Sequence, residues 1–219
     1  MRFPAFFILI LLLAPATARA HSYVWQDPKF DYAVSFPDDW ARNFTDVAGP
    51  RLEILAPTGD GHVFCKFFAR EDGRFAHLPG SFLPPVVERE FGRDFWQNRL
   101  AAFNNTTLYD IQTGKALGQG WAVWTHADYL RPTPGPDGEM TPYRAWMGGT
   151  IYYNMSLDFR CAAPRAVYER WAPEFQSIVS SIAFAPRYTA LPEGDYRPFV
   201  TDPNAALHIR TRAGRVLQY

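Results

Sequence analysis

Hydrophobic and polar positions alternate with period two through residues 149–161. Ile151, Tyr153, Met155, Leu157, Phe159 and Cys161 fall on one side, and Tyr152, Asn154, Ser156, Asp158 and Arg160 on the other. Such alternation predicts a strand with one face in a core. Residues 30–36 alternate likewise, with Phe30, Tyr32, Val34 and Phe36 on one side, and Pro37 stops the run before Asp38-Asp39-Trp40. Strands are predicted over 51–56 and 62–70, joined through Gly59-Asp60-Gly61, a turn triplet that favours a hairpin. The 62–70 strand carries bulky apolar groups on both faces (Val63, Cys65 and Phe67 against Phe64 and Phe68), which predicts cover on both sides.

Helical spacing takes over after Pro84-Pro85. Val87, Phe91, Phe95 and Leu100 form one stripe, opposite Glu88, Arg89, Arg93, Asp94 and Arg99, and predict a surface helix over 86–103. Strands over 106–117 and 120–130 are joined at Gly118-Gln119-Gly120, and the Pro- and Gly-rich stretch 131–142 reads as an exposed loop before the chain extends again at 143–147. A last helix opens at Pro164, with Val167, Trp171, Phe175, Ile178 and Ile182 as its buried stripe. Pro173 is expected to kink or split it near Ala172. The order of four strands, helix, three strands, helix and tail predicts an α+β fold, an antiparallel sheet with helices packed on it.

The first twenty residues change the picture. Arg2, the apolar run 6–13 and Ala18-Arg19-Ala20 have the form of an export signal cleaved after Ala20, with Ala18 as a competing site. The apolar run is too short to span a bilayer, which takes roughly 20 residues. The expected organisation is a signal peptide over 1–20, a single domain over 21–184 and a Pro-containing tail over 185–219, in a periplasmic or secreted protein. Basic and acidic side chains balance at 22 each, so no electrostatic footprint for nucleic acid or an anionic membrane exists. Apolar residues at 47% and aromatics at 16% supply a substantial core and argue against disorder.

Cys65 and Cys161 are the two cysteines. Each lies on an apolar strand face, and in an exported chain they are expected to pair. The competing reading, a catalytic thiol, lacks a neighbouring histidine in sequence.

Phe30-Asp31-Tyr32-Ala33-Val34-Ser35-Phe36-Pro37-Asp38-Asp39-Trp40, the hairpins around a mid-chain helix, and the closing Phe175-Gln176-Ser177-Ile178-Val179-Ser180-Ser181-Ile182-Ala183-Phe184 together resemble the PsbP/Mog1-like proteins. The resemblance covers residues 22–184 and leaves the tail aside. It implies an α/β/α sandwich around an antiparallel sheet. That fold serves photosystem accessory subunits, nuclear-transport cofactors and many exported bacterial proteins without assigned activity, so it carries no function by itself. No binding residue of the family maps onto this chain.

Motifs for chemistry are scarce. The chain has no Gly-x-Ser-x-Gly elbow, phosphate loop, His-Glu-x-x-His or Cys-x-x-Cys, and Asp38-Asp39 suits a turn after proline better than an acid pair. Cleavage after Ala20 would make His21 an N-terminal histidine able to bind copper through its amine and ring, with His62, His77, His126 or His208 completing the site. No spacing selects among those partners, and the copper enzymes built this way have a different sandwich fold. Asn43, Asn104, Asn105 and Asn154 head Asn-x-Ser/Thr triplets, acceptors only in a eukaryotic host. Tyr152, Asn154, Asp158 and Arg160 form a polar-aromatic stripe which, with the 131–142 loop, is the expected recognition surface. The leading expectation is therefore an exported binding or accessory domain without catalytic residues, metal or cofactor, whose partner is another envelope protein or a small ligand. The alternative is an enzyme, either with the copper site at His21 or a hydrolase with dispersed residues.

Overall fold

The computed structural model describes residues 21–44, 49–57, 62–76, 78, 80–118, 120–132, 140–185, 208–210 and 216–218. The expected export signal, the 59–61 turn, the crown of the 131–142 loop, His77 and most of the tail lie outside the described residues.

Two sheets carry the fold. The smaller is the antiparallel hairpin of β1 (Ser22–Gln26) and β2 (Tyr32–Pro37), extended on the far edge of β2 by β11 (Ala183–Phe184). The larger is built from β3 (Ala41–Phe44), β4 (Leu52–Leu55), β5 (Phe64–Glu71), β6 (Asn104–Leu108), β7 (Gln112–Leu117), β8 (Gly120–Pro132), β9 (Met140–Tyr152) and β10 (Met155–Pro164). Its order is β3-β4-β5-β10-β9-β8-β6, with β7 also paired to β8, and every pairing is antiparallel. Two local meanders, β3-β4-β5 and β8-β9-β10, thus meet along the β5–β10 seam. Cys65 and Cys161 stand directly opposite each other on that seam and form a disulfide.

Alternation gives each face its cover. Helices α1 (Leu83–Glu90) and α2 (Arg93–Leu100) place Val87, Phe91, Trp96 and Leu100 against Phe64, Val123, Ala127, Tyr129, Met147, Ile151 and Ala162 of the sheet. Phe91 lies on Gly149, where an added Cβ would come within 2.5 Å of its ring. The opposite face, with Phe67, Phe159 and the disulfide, belongs to α3 (Tyr168–Ser180), which packs on β10 and β2. Helices on both faces of an antiparallel sheet make the α/β/α sandwich that the resemblance implied.

Local signals explain several joints. The Asp27 carboxylate accepts the N–H groups of Lys29 and Phe30, closing the β1–β2 turn, where Asp31 takes a φ of 53°. The same carboxylate is fully buried and receives Arg51 Nε at 2.9 Å and Nη2 at 3.3 Å, tying this turn to the start of β4. At the end of α3, the Ser181 hydroxyl accepts the Ser35 N–H at 2.7 Å and lies 2.6 Å from the Ile178 carbonyl. That contact gives the closing Ser-Ser-Ile-Ala-Phe segment a physical role, stopping the helix and pinning it to β2. Trp40 is 3% exposed and meets Trp171 edge to face, so it plugs the sheet end.

Four expectations about elements are corrected. The 149–161 strand is a hairpin: β9 ends at Tyr152, Tyr153 turns with a φ of 55°, and β10 begins at Met155 opposite Tyr152. The 86–103 helix is two helices, because extended backbone at Gly92 breaks it after Phe91. The 106–117 strand is split into β6 and β7. The last helix starts at Tyr168, as Pro164 still belongs to β10, and it passes Pro173 without interruption.

Among the described residues no helix is long and apolar enough to cross a membrane. Contacts divide the chain after Phe184, and in the segment beyond it β12 (His208–Arg210) pairs antiparallel with β13 (Val216–Gln218).

Candidate functional site

The two-residue turn at Tyr153-Asn154 decides where the polar side chains of β10 go. Cross-strand partners share a face, so Tyr152 goes with its partner Met155, while Ile151 goes with its partner Ser156. Ser156, Asp158 and Arg160 therefore lie on the α1–α2 face, beside Ile151 and Met147. Tyr152 lies on the opposite face, stacked on Phe184 at 4.6 Å. Asn154 sits in the turn, where its carbonyl accepts the Asp72 N–H. The expected four-residue stripe is thus divided: the structure brings Asp158 and Arg160 together and separates Tyr152 and Asn154 from them. The reason is the turn itself, which lacks glycine and proline and so left the alternation looking continuous.

Asp158 and Arg160 stand beneath α2. Asp158 is 3% exposed and accepts Arg99 Nη2 at 2.7 Å. Burial pushes its carboxyl above the ordinary carboxylate range, against the pull of the Arg99 guanidinium. Arg160 is held below the ordinary arginine range by burial, while Arg131 and Arg99 add like charge. Rings flank these cations: Arg99 lies 4.3 Å from the Phe68 centroid, Arg160 4.9 Å from Phe103, and Arg131 5.0 Å from Phe64.

Two hollows open beside the Arg99–Asp158 pair and share it. One, of about 230 Å³, is lined by Trp96, Arg99, Phe103, Met147, Asp158 and Arg160 among others. The other, of about 400 Å³, is lined by Lys29, Phe30, Arg51, Arg70 and Glu71 besides that pair. In the smaller hollow three lining side chains carry a buried N–H with no acceptor: Trp96 Nε1, Arg99 Nε and Arg160 Nε. On the same sheet face the Ser156 and Tyr129 hydroxyls and Arg131 Nη1 are also buried without partners. These atoms have almost no accessible surface, so protein encloses them and they do not open into the hollow.

A third hollow, of about 360 Å³, runs between α3 and the β8–β9 face, lined by Gln112, Trp124, His126, Trp146, Tyr168 and Gln176 among others. Trp124 and Trp146 stack at 5.3 Å, and His126 meets Tyr168 edge to face. Asp128, on the same sheet face, is committed to Arg144 and Tyr109 by hydrogen bonds of 2.9 Å each. Desolvation in the groove and the Arg144 charge hold the His126 imidazole below its usual range. A histidine of lowered folded pKa favours the native state while neutral, so its contribution is intact above about pH 6.5 and falls as pH drops through that value. Titration followed by histidine proton resonances is expected to give His126 a midpoint below that of the unfolded chain. A midpoint at or above it refutes this electrostatic account.

The remaining sequence candidates lie apart. His21 begins the described chain and is exposed, with its carbonyl accepting the Asp38 N–H. Among the described residues no three His, Cys, Asp or Glu side chains gather in a way that could hold a metal ion. Trp96, Arg99 and Arg131 were missed as site residues. Trp96 and Arg99 read as the apolar and charged flanks of a surface helix, and a signal was present only in Arg99 being three residues from Trp96 and on its face.

No protein-family model matches the chain, and no curated protein matches it in sequence. Solved structures do resemble it. The cyanobacterial PsbP of Synechocystis aligns with a TM-score of 0.54 at 12% identity, over 80% of this chain and 99% of that one. LpqN of Mycobacterium tuberculosis, described as involved in cell envelope biogenesis, aligns at 0.49 and 12% identity over 76% of this chain and 91% of its own. With its antiparallel sheet held between helices and its overlap with nearly the whole of the Synechocystis protein, this chain has the PsbP-like fold.

Proposed function

We propose that the chain is an exported binding or accessory domain, without catalytic activity, that recognises a small ligand beside Asp158 and Arg160 under α2. The observation that carries this reading is the hollow of about 230 Å³ under α2, where the rings of Trp96 and Phe103 and the Met147 thioether meet the Arg99–Asp158 pair and Arg160. A hollow walled mostly by apolar groups with a few polar side chains at one side suits binding. Acyl or phosphoryl chemistry would call for a nucleophile and a base within hydrogen-bonding reach, and the residues named around this hollow include no such pair. A disulfide on the central seam suits an oxidising compartment, which supports a periplasmic or secreted location.

The test uses the protein recovered after export. Intact mass gives its first residue and the state of the bridge; a start at His21 with two hydrogens missing is expected. Thermal shift against a panel of small carboxylates, phosphates and sugars is expected to show stabilisation by some members, with each recovered unchanged by mass spectrometry. Conversion of any panel compound would overturn the non-catalytic reading, and a panel without a single stabilising member would overturn binding.

A further inference from the structure

We infer that the groove between α3 and the β8–β9 face binds a neutral sugar, with a pyranose ring against Trp146 and its hydroxyls on Gln112 and Gln176. This second site lies on the opposite sheet face from the hollow under α2 and stands independently of it.

Strand register builds the floor. Gln112, Trp124, Gly148 and Phe159 form one row across β7, β8, β9 and β10, and His126, Trp146 and Cys161 form the next. Cross-strand partners share a face, so both rows belong to the α3 side. Gly148 leaves the first row open at its middle, where a Cβ would come within 2.7 Å of Phe159 and 2.9 Å of Trp124. Trp124 stacks on Trp146 at 5.3 Å, and Phe159 meets both indoles edge to face, at 5.8 and 5.3 Å. Three rings that brace one another need little ordering when a ligand arrives. The helix α3 packs on β10 and β2, so it covers the Phe159 and Cys161 ends of the rows. The other ends, Gln112 and His126, are exposed and line the groove with the half-buried Trp146.

Charge sets the class of ligand. Among the described residues the lining includes no Lys, Arg, Asp or Glu. Desolvation and the Arg144 charge hold the His126 imidazole below its usual range, so it is neutral at pH 7. Asp128 and Arg144, on the same two strands, are paired with each other at 2.9 Å. An ion would enter this groove without a counter-charge, which favours a neutral occupant.

Hydrogen-bonding capacity narrows the class further. Gln112 comes from the sheet side and Gln176 from the helix side, with the Ser180 hydroxyl one turn on. Carboxamides both donate and accept, and so do hydroxyls, so a polyol can pair with both walls at once. A pyranose adds a C–H face for the indole between them. A wholly apolar body would strip water from the carboxamides and return nothing. At about 360 Å³ the groove lies in the range of small-molecule clefts and has room for a mono- or disaccharide.

The experiment titrates the folded, bridge-intact protein with cellobiose, maltose and N,N′-diacetylchitobiose, and with adenosine and benzoate as flat and charged controls. Calorimetry gives the affinities. The Trp146 and Trp96 indole N–H resonances, assigned through Trp146→Phe and Trp96→Phe, report the site. At least one disaccharide is expected to bind and to move Trp146 while Trp96 stays in place. Gln176→Ala, at an exposed helix position, is expected to weaken that sugar by about three- to tenfold, as the loss of a hydrogen bond would. Trp146→Ala should weaken it by about tenfold or more. Should Trp146→Ala fail to fold, Gln176→Ala decides the matter. No movement of Trp146 by any of the three sugars, or equal affinity in Gln176→Ala and wild type, would overturn the inference. So would adenosine or benzoate bound more tightly than every sugar. A sugar that moves Trp96 alone would sit under α2, overturning this inference while the binding reading stands.

Discussion

Replacing Cys65 and Cys161 together by alanine is expected to lower the stability of the folded domain by about 4–5 kcal/mol. The bridge closes a loop with a sequence separation of 96. In the chain-entropy account, constraining an unfolded loop of that size stabilises the native state by this amount. For a domain of this length the loss corresponds to a melting temperature lower by roughly 8–20 °C. Both cysteines are fully buried on the seam between β5 and β10, so alanine also leaves a small void in the α3 face and pushes the effect in the same direction. Thermal unfolding with and without a reducing agent checks the result twice. Wild type under reducing conditions should approach the double variant, and the double variant should ignore the reductant. A loss below about 1 kcal/mol would show that the bridge constrains little that the sheet does not already constrain.

Asp27→Ala is the second large effect, at about 3–5 kcal/mol, the range for removing one partner of a buried ion pair. The loss has two parts that can be separated. The charge on Arg51, whose side chain is 10% exposed, loses its bidentate acceptor. The N–H groups of Lys29 and Phe30 lose the oxygen that shapes their turn. Asp27→Asn keeps an oxygen for the turn and removes the charge, so it is expected to fall between wild type and Asp27→Ala. Urea unfolding of the three proteins measures the order. If Asn and Ala were equally destabilised, the turn would contribute nothing and the ion pair would account for the whole effect. If Asp27→Ala cost under about 1 kcal/mol, the pair would not be the tie between the two sheets that its geometry describes.

Periodicity made the strands legible because alternation depends only on which face is buried. Tyr32, Val34 and Phe36, and Leu157, Phe159 and Cys161, each alternate as the pattern demands, and the cysteine pairing followed from an even count in a chain expected to be exported. What alternation cannot show is a turn that interrupts it without glycine or proline, as at Tyr153-Asn154. That miss joined Tyr152 and Asn154 to a stripe they do not share, while α1 and α2 cover the face that carries Asp158 and Arg160. The helix break was legible in Gly92 but was overridden by an apolar stripe that continues past it through Phe95 and Leu100. Pro173 erred the other way, since the tertiary contacts of Phe175 and Ile178 hold α3 together across a residue that removes one backbone donor. The hollow under α2 was out of reach in principle, because it is formed where α2 crosses β9 and β10 rather than by any one segment.

The β5–β10 seam has a consequence in time. The β8-β9-β10 meander is made of neighbours in sequence and can close as soon as it is synthesised, and so can β3-β4-β5. Their junction must wait for a strand about 90 residues further on, and pairing at such distance is the slow kind. Until then β5 offers one unpaired edge carrying Phe64, Phe67 and a free thiol at Cys65 to whatever passes. The bridge is therefore a record of arrival: once made, it shows that the second half of the chain has found the first in the correct register.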